Sequence, residues 1–290
     1  MEKSAQPESP RPKTGKQGIL LRVGIFALTE IGGLVIFAPL MHPVAGYFVA
    51  AALSTFAAAA VANTMALRIY ERGNLASVGL GWSADSWRNL LLGLAGGAGA
   101  AALVLGPALL TGAARWKPDP EWEANPGGIP FLLVVLLFGA VGEELLFRGY
   151  GFQVLLKPMG EFATILPMSV LFGLAHSNNQ SATTLGLVNT TLWGLLFGLA
   201  FLRSRDLWLP IGLHYGWNIT LPLFGVNLSG FTMNITGYAI EWQVSDRWSG
   251  GAYGPEGGLL TTMVLAFLFA ALRKAPIRRQ VAFLYQPEEE

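Results

Sequence analysis

Two adjacent glutamates and an arginine stand in the segment Gly142-Glu-Glu-Leu-Leu-Phe-Arg148, directly after the apolar run 129–141. An ionised side chain at membrane depth costs at least about 2.5–3.5 kcal/mol, so three charges so close together need a function or a partner. Glu144 and Arg148 are four residues apart and share a helix face, whereas Glu143 is rotated by about 100° from Glu144. We therefore expect the two carboxylates to point apart, with Arg148 neutralising Glu144 and Glu143 available as a base.

Two of the three histidines also fall in apolar segments. His176 ends the pattern Phe172-x-x-x-His176, and His214 begins the pattern His214-x-x-x-Asn218, so each histidine shares a helix face with its partner. Taken singly, each histidine also fits a satisfied core residue. A carboxylate with an imidazole can deprotonate water, and an imidazole with a carboxamide can stabilise an oxyanion. Together these residue types favour hydrolysis of an amide bond.

Depth in the predicted helices supports one common site. The sequence Lys157-Pro-Met-Gly160 predicts a break between two apolar helices. Counting residues from this break places Glu143 and His176 at the same level, about 21–23 Å from the turn. His214 enters on a later helix from the same side, about 10 Å beyond Leu207. We therefore expect three helices to bring these side chains to one buried point.

The elements that carry these residues are predicted to be membrane helices. The chain of 290 residues is 52% hydrophobic and 13% charged, with a mean hydropathy of +0.47, which is not typical of a water-soluble surface. A membrane helix needs about 20 apolar residues. The expected fold is all-α and polytopic with about eight transmembrane helices, at residues 19–40, 44–67, 89–111, 129–157, 161–177, 184–203, 207–225 and 257–273.

The basic residues agree with this arrangement. With the amino terminus inside, all but three of the 19 Lys and Arg residues fall on the cytoplasmic side, and the exceptions are Arg115, Lys117 and Arg247. Both termini are then cytoplasmic. Because the charges are spread as topology signals and the net charge is only +1, no nucleic-acid partner is expected. Membrane lipid is the expected surrounding.

Three further features limit the chemistry or the packing. The absence of cysteine excludes disulfides and thiolate nucleophiles, so a metal would need histidine and carboxylate ligands. Glu30, inside the first span, is predicted to be a relay group or to face a wet cavity or an interhelical partner. The small residues Gly93, Gly96, Gly97 and Gly99 are predicted to let helices approach closely.

The three motifs Glu143-Glu144-x-x-x-Arg148, Phe172-x-x-x-His176 and His214-x-x-x-Asn218, in this order on successive apolar helices, resemble those of the CPBP intramembrane protease family, which includes CAAX prenyl endopeptidases of the second type and bacteriocin-processing or self-immunity (Abi-like) proteins. The similarity covers roughly residues 75–225. With the composition and charge pattern, it divides the chain into a disordered cytoplasmic tail (1–17), two first membrane helices (18–74), a protease core (75–225), an external loop (226–256), and a last helix with a cytoplasmic tail (257–290).

The resemblance also implies roles for the residues. Glu143 with His176 would activate water, and His214 with Asn218 would stabilise the oxyanion in a conical intramembrane cavity that opens to the cytoplasmic half. Glu144, Arg148 and Phe172 would support the site. The family has also been described as metalloproteases, so Glu143, His176 and His214 could hold a divalent metal such as zinc; the preferred mechanism needs no cofactor. The expected substrate is a membrane-associated peptide or protein.

The implied protein is a glutamic endopeptidase, or a metalloendopeptidase, in a bacterial inner membrane. Two other classes stay open from sequence alone. A proton-coupled transporter would also bury glutamate and histidine, although no inverted repeat is visible. A non-catalytic immunity or scaffold protein would not need the four polar residues for its activity.

Overall fold

The computed structural model describes residues 16–280 and Leu284, and the predicted tails lie largely outside this range. The structure is mostly helical. Its helices and its two strands are α1 (Lys16–Ala66), α2 (Ala84–Leu110), β1 (Ala114–Pro118), α3 (Gly128–Arg148), α4 (Tyr150–Met159), α5 (Glu161–Ala175), α6 (Thr184–Ser204), α7 (Trp208–Leu223), β2 (Tyr238–Trp242), α8 (Asp246–Ser249) and α9 (Leu259–Lys274). Short 3₁₀ or π turns lie at Leu67–Glu71, Leu75–Val78, Gly251–Tyr253 and Pro255–Gly257.

Helix α1 is two antiparallel limbs that meet at Gly46. Gly46 has a non-helical backbone (φ 74°, ψ 167°), a conformation that glycine adopts easily. Arg22 Nη1 lies 2.6 Å from Glu71 Oε1, although a straight helix would separate residues 49 positions apart by about 70 Å. The reversal lies three residues after the predicted gap 41–43, just inside the second predicted span 44–67.

The predicted span 129–157 is bent at Gly149 into α3 and α4. Asn63 stabilises the bend, because its amide donates to the Leu145 carbonyl (3.1 Å) and its oxygen accepts from the Tyr150 N–H (2.7 Å). The bond to Tyr150 gives a buried N–H a partner at the bend, and the Leu145 carbonyl accepts from the Gly149 N–H as well as from Asn63. The predicted break after Lys157 is present, since α4 ends at Met159 and Gly160 has φ 82°.

The predicted count of about eight membrane helices is matched only in part. Four helical segments of the described chain are long and apolar enough to cross a membrane: Gly18–Glu71, Ala84–Leu110, Gly128–Met159 and Thr184–Ser204. Helix α5, with 15 residues, is a shorter apolar helix, and α7 and α9 have 16 residues each. Because these three are shorter than the roughly 20 residues of a full span, the full count stays a prediction.

The connections gather at two opposite ends of the helices. At one end, β1 pairs with β2 antiparallel, which joins the two loops predicted to be external. At the other end, Asn89 binds the Asp206 carboxylate (2.8 Å) and the backbone of Arg278, and the Leu207 N–H binds the Gly79 carbonyl. We call these the strand end and the basic end, because the second carries the segments predicted to be cytoplasmic.

Helix α7, which carries His214, packs very closely against α2. Gly93 and Gly97 of α2 face the backbone of α7 at Leu209 and Leu213, and Gly212 in turn faces α2. Gly96 meets the Leu213 side chain, whereas Gly99 faces open space. The predicted packing role therefore holds for three of the four glycines, and the contact fixes the position of α7.

A side chain at Gly97 should separate α7 from α2. A methyl group there would overlap the backbone of Leu213, so we expect Gly97→Ala to destabilise the protein by about 1–3 kcal/mol through overpacking. Gly99→Ala is the matched control, because nothing lies within 4 Å of the added methyl group. Thermal unfolding in detergent measures both. Equal midpoints for the two variants would contradict a close helix contact at Gly97.

Candidate active site

The structure brings the two predicted histidines to the Glu143 carboxylate. Glu143 Oε2 lies 3.8 Å from His176 Nε2 and 3.9 Å from His214 Nε2. The Glu143 side chain is 27% exposed, compared with 15% for His176 and 8% for His214. A carboxylate held at the same distance from two imidazoles leaves room for a small molecule bound to all three. Asn218 lines the same cavity, one turn after His214.

His176 reaches this position from the end of its helix. The last helical residue of α5 is Ala175, so His176 caps the helix instead of lying within a span. Its Nδ1 lies 2.8 Å from the Phe172 carbonyl oxygen. A carbonyl only accepts hydrogen bonds, so Nδ1 must carry the proton. In the neutral ring, Nε2 then offers its lone pair toward Glu143.

Glu144 is fully buried and contacts two basic side chains at once. Its Oε1 lies 3.2 Å from Arg148 Nη1 and 3.0 Å from His214 Nδ1. The pairing with Arg148 follows the predicted spacing. The contact with His214 was not predicted, since Glu143 and Glu144 approach opposite edges of one imidazole. Of the two, only Glu143 lines the cavity, which agrees with the expectation that the carboxylates do not share one small site. Sequence spacing within α3 cannot reveal this, because it depends on the rotation of α7.

Arg148 has further contacts besides the one with the Glu144 carboxylate. Its Nη2 donates to the Gly194 carbonyl at 2.7 Å, and its guanidinium carbon lies 4.8 Å from the centre of the Phe172 ring. Phe197 lies 5.4 Å from the same carbon and stacks on His214 at 4.9 Å. Aromatic faces attract a cation and exclude water. Phe172 and Phe197 therefore form one wall that orients both Arg148 and His214.

A cavity of about 330 Å³ contains these groups, and its lining extends beyond the predicted core 75–225. One wall comes from the second limb of α1, with Tyr47 and Thr55, and another comes from the segment after α7, with Ser229 and Glu256. Glu256 is a site residue that sequence reasoning missed, since a glutamate in a polar loop gives no signal of burial. Glu30 is buried but is not among the lining residues.

Glu256 is buried and accepts three hydrogen bonds. Its donors are Trp217 Nε1 (3.2 Å), the Ser229 N–H (2.5 Å) and Ser229 Oγ (3.0 Å). Burial raises the pKa of the Glu256 carboxyl, and these donors offset only part of that effect. Trp217 lies between His214 and Asn218 in α7, so Glu256 anchors the segment after α7 to the helix that carries both.

The lining shows which end of the helices the cavity approaches. Its lining includes Asn179, Leu228, Ser229, Phe231 and Glu256, all from connections at the strand end. The charge pattern assigns that end to the outer side of the membrane. The predicted opening toward the cytoplasmic half stays a prediction, whereas the level of Glu143 and His176 agrees with the helix counting.

A comparison with known protein families finds a match over the segment that carries these residues. Residues 125–220 match a family model described as type II CAAX prenyl endopeptidase Rce1-like. This segment is Rce1-like. The matched segment includes all six motif residues: Glu143, Glu144, Arg148, His176, His214 and Asn218. The match is consistent with the resemblance to the CPBP family. Together with the apolar helices, the match supports a membrane protease related to the CAAX endopeptidases. A search of the curated proteins found no match.

The sequence also leaves a bound metal as an alternative for Glu143, His176 and His214. Within residues 16–280 and Leu284, no group of three His, Cys, Asp or Glu side chains is arranged to hold a metal ion. Glu144 lies at the Nδ1 edge of His214, and the Phe172 carbonyl lies at the Nδ1 edge of His176. Both rings therefore turn Nε2 toward Glu143, an arrangement that suits a metal ligand as well as a metal-free site. The Rce1-like match leaves a metal-dependent and a glutamate-dependent protease equally open.

Removing Arg148 should strongly destabilise the protein. Arg148→Met leaves the Glu144 carboxylate buried without its main cation, and breaking a buried pair in this way costs about 3–5 kcal/mol. The double variant Glu144→Leu/Arg148→Met removes both charges and should regain much of that loss. Thermal unfolding in detergent tests the series.

A surface pair supplies the control for this series. Lys117 Nζ lies 2.8 Å from Glu241 Oε1, and both side chains are nearly half exposed. Lys117→Met should leave the unfolding midpoint almost unchanged, because exposed ion pairs contribute little. If Arg148→Met unfolds at the same temperature as Lys117→Met, the buried pair of Glu144 and Arg148 does not stabilise the fold.

Proposed function

We propose that the protein is a glutamate-dependent intramembrane endopeptidase that cleaves a peptide bond in a membrane-associated peptide or protein. The observation that carries the proposal is the position of Glu143 Oε2, 3.8 Å and 3.9 Å from the Nε2 atoms of His176 and His214. The Rce1-like match supports the reaction class. The roles of the individual residues are part of the proposal.

In the first step, a water molecule donates one hydrogen bond to Glu143 and one to the free Nε2 of His176. Both groups are acceptors, so a water between them is oriented with its oxygen lone pair free to attack. Glu143 takes a proton as the water adds to the substrate carbonyl carbon. General-base catalysis of this kind contributes about 10²–10⁴-fold to a rate. His176 holds the water and limits the ways in which it can rotate.

In the same step the carbonyl oxygen gains negative charge, and His214 and Asn218 stabilise it. His214 can donate from Nε2 only when its ring is doubly protonated, because its Nδ1–H is given to Glu144. Glu144 favours that imidazolium by accepting from Nδ1. Asn218 supplies a neutral amide donor from the same helix. When the tetrahedral intermediate breaks down, Glu143 returns its proton to the leaving amine.

Loss of the base should abolish cleavage without unfolding the protein. We expect Glu143→Gln and His176→Ala each to lower the rate by at least about 10²-fold, because the attacking water loses its base or its orientation. Glu241→Gln is the matched control, since it makes the same change at an exposed strand residue that is not among the lining residues. Mass spectrometry of peptides released from membranes measures the products. Unchanged proteolysis in either site variant would contradict the mechanism.

Chelation should separate this mechanism from a metal-dependent one. Because the steps above use only protein groups, treatment with a strong chelator followed by dialysis should leave the cleavage rate unchanged. The rate is compared before treatment, after treatment, and after adding back zinc. Loss of cleavage on chelation and its return with zinc would overturn the glutamate-dependent proposal in favour of a site in which Glu143, His176 and His214 bind the ion.

A further inference from the structure

The position of the cavity along the helices gives its direction of access. Tyr47 and Thr55, on the second limb of α1, lie within nine residues of the Gly46 turn, and Ala175 is the last residue of α5. Phe231, from the segment after α7, stacks on Tyr47 at 5.9 Å. The lining therefore runs from the level of Glu143 toward the strand end of the molecule.

The path from the site toward the basic end is filled by side chains. Glu144 and Arg148 are 0% and 1% exposed, and the residues beyond them form a second core cluster that includes Tyr150, Phe152 and Leu207. Gln153 bridges the carbonyl oxygens of Arg148 and Val78 at 2.9 Å each. Interiors packed in this way contain few voids larger than a water molecule, so a peptide cannot pass through this part.

The mouth of the cavity is marked by lining residues that are themselves exposed. Tyr47 is 57% exposed, and Ala51 and Ala175 are also exposed. Neighbouring apolar side chains are open to the surroundings as well, with Val44 at 89% and Leu174 at 55%. The mouth therefore lies between the second limb of α1 and the end of α5, beside an apolar surface that suits lipid chains.

The distribution of basic residues orients this mouth in the membrane. The basic end carries the segments with nearly all Lys and Arg residues, which the positive-inside rule places in the cytoplasm. The strand end carries the exceptions Arg115, Lys117 and Arg247. Exposed aromatic side chains, Trp116 and Trp248 at the strand end and Trp82 and Trp87 at the basic end, are in the positions expected for the two membrane interfaces.

We infer that the site opens laterally into the extracytoplasmic half of the membrane, through the gap between the second limb of α1 and the end of α5. Resting on the protease function proposed above, this names the substrate class as apolar peptide segments that lie in the outer leaflet, such as those of exported or membrane-inserted chains. The carboxy-terminal tails of cytoplasmic proteins are not presented to this mouth.

The natural absence of cysteine permits a direct test that needs no activity. Four single-cysteine variants of the full chain are made: Asn179→Cys and Thr55→Cys in the cavity lining, Glu123→Cys in the exposed loop before α3, and Ala84→Cys at the start of α2. Intact cells and permeabilised cells are treated with a charged, membrane-impermeant thiol reagent. Detergent gel filtration checks that each variant is folded, and a second set carries Glu143→Gln to separate access from cleavage.

We expect Glu123→Cys and Asn179→Cys to be labelled in intact cells, and Ala84→Cys only after permeabilisation. Thr55 lies beside Gly142, level with the proposed base, so its labelling from outside reports water reaching the catalytic level from the strand end. The inference is overturned if the two cavity positions follow Ala84→Cys, if neither cavity position is labelled under any condition, or if Glu123→Cys requires permeabilisation. Because the labelling is read without proteolysis, these outcomes leave the protease proposal to its own test.

Discussion

The structure of the site depends on the charge of Glu144, which is buried completely among apolar helices. A buried carboxylate is tolerated only when its charge and its lone pairs are satisfied. Its Oε1 meets both Arg148 and His214. The first contact stays within α3, and the second joins α3 to α7. The same carboxylate whose charge Arg148 compensates within α3 therefore also sets the position of a histidine at the site.

Two other constraints place α7 within reach of that carboxylate. Its glycine-lined contact with α2 fixes the distance of the helix from its neighbour, since the backbones approach too closely for any side chain. Stacking of Phe197 on His214, and the bond from Trp217 to Glu256, fix its rotation. These contacts lie on different faces of α7, so they act together to hold His214 and Asn218 toward the cavity.

The site is assembled from a larger part of the chain than its motifs suggest. The Rce1-like match covers residues 125–220, whereas the cavity wall also includes Tyr47 and Thr55 before this segment and Ser229 and Glu256 after it. The motif residues determine what chemistry is possible. The surrounding segments determine which peptide can approach, because they form the mouth of the cavity and the cover over it.

The sequence by itself determined the membrane class, the helical pairing of Glu144 with Arg148, the break near Gly160 and the common level of Glu143 and His176. Each of these follows from local rules: hydropathy, the helical repeat and the backbone preferences of proline and glycine. The bend at Gly149 escaped those rules because it is stabilised by Asn63, which lies 82 residues before Leu145 in the chain.

Only the tertiary structure decided that Glu143 and Glu144 approach opposite edges of His214, that Glu256 enters the cavity wall, and that the lining runs toward the strand end. These features depend on the rotation and offset of helices that are distant in sequence. Periodicity fixes which residues share a face of one helix, but it contains no information about which face a neighbouring helix will present. That choice is made by packing and by the need to compensate buried charge.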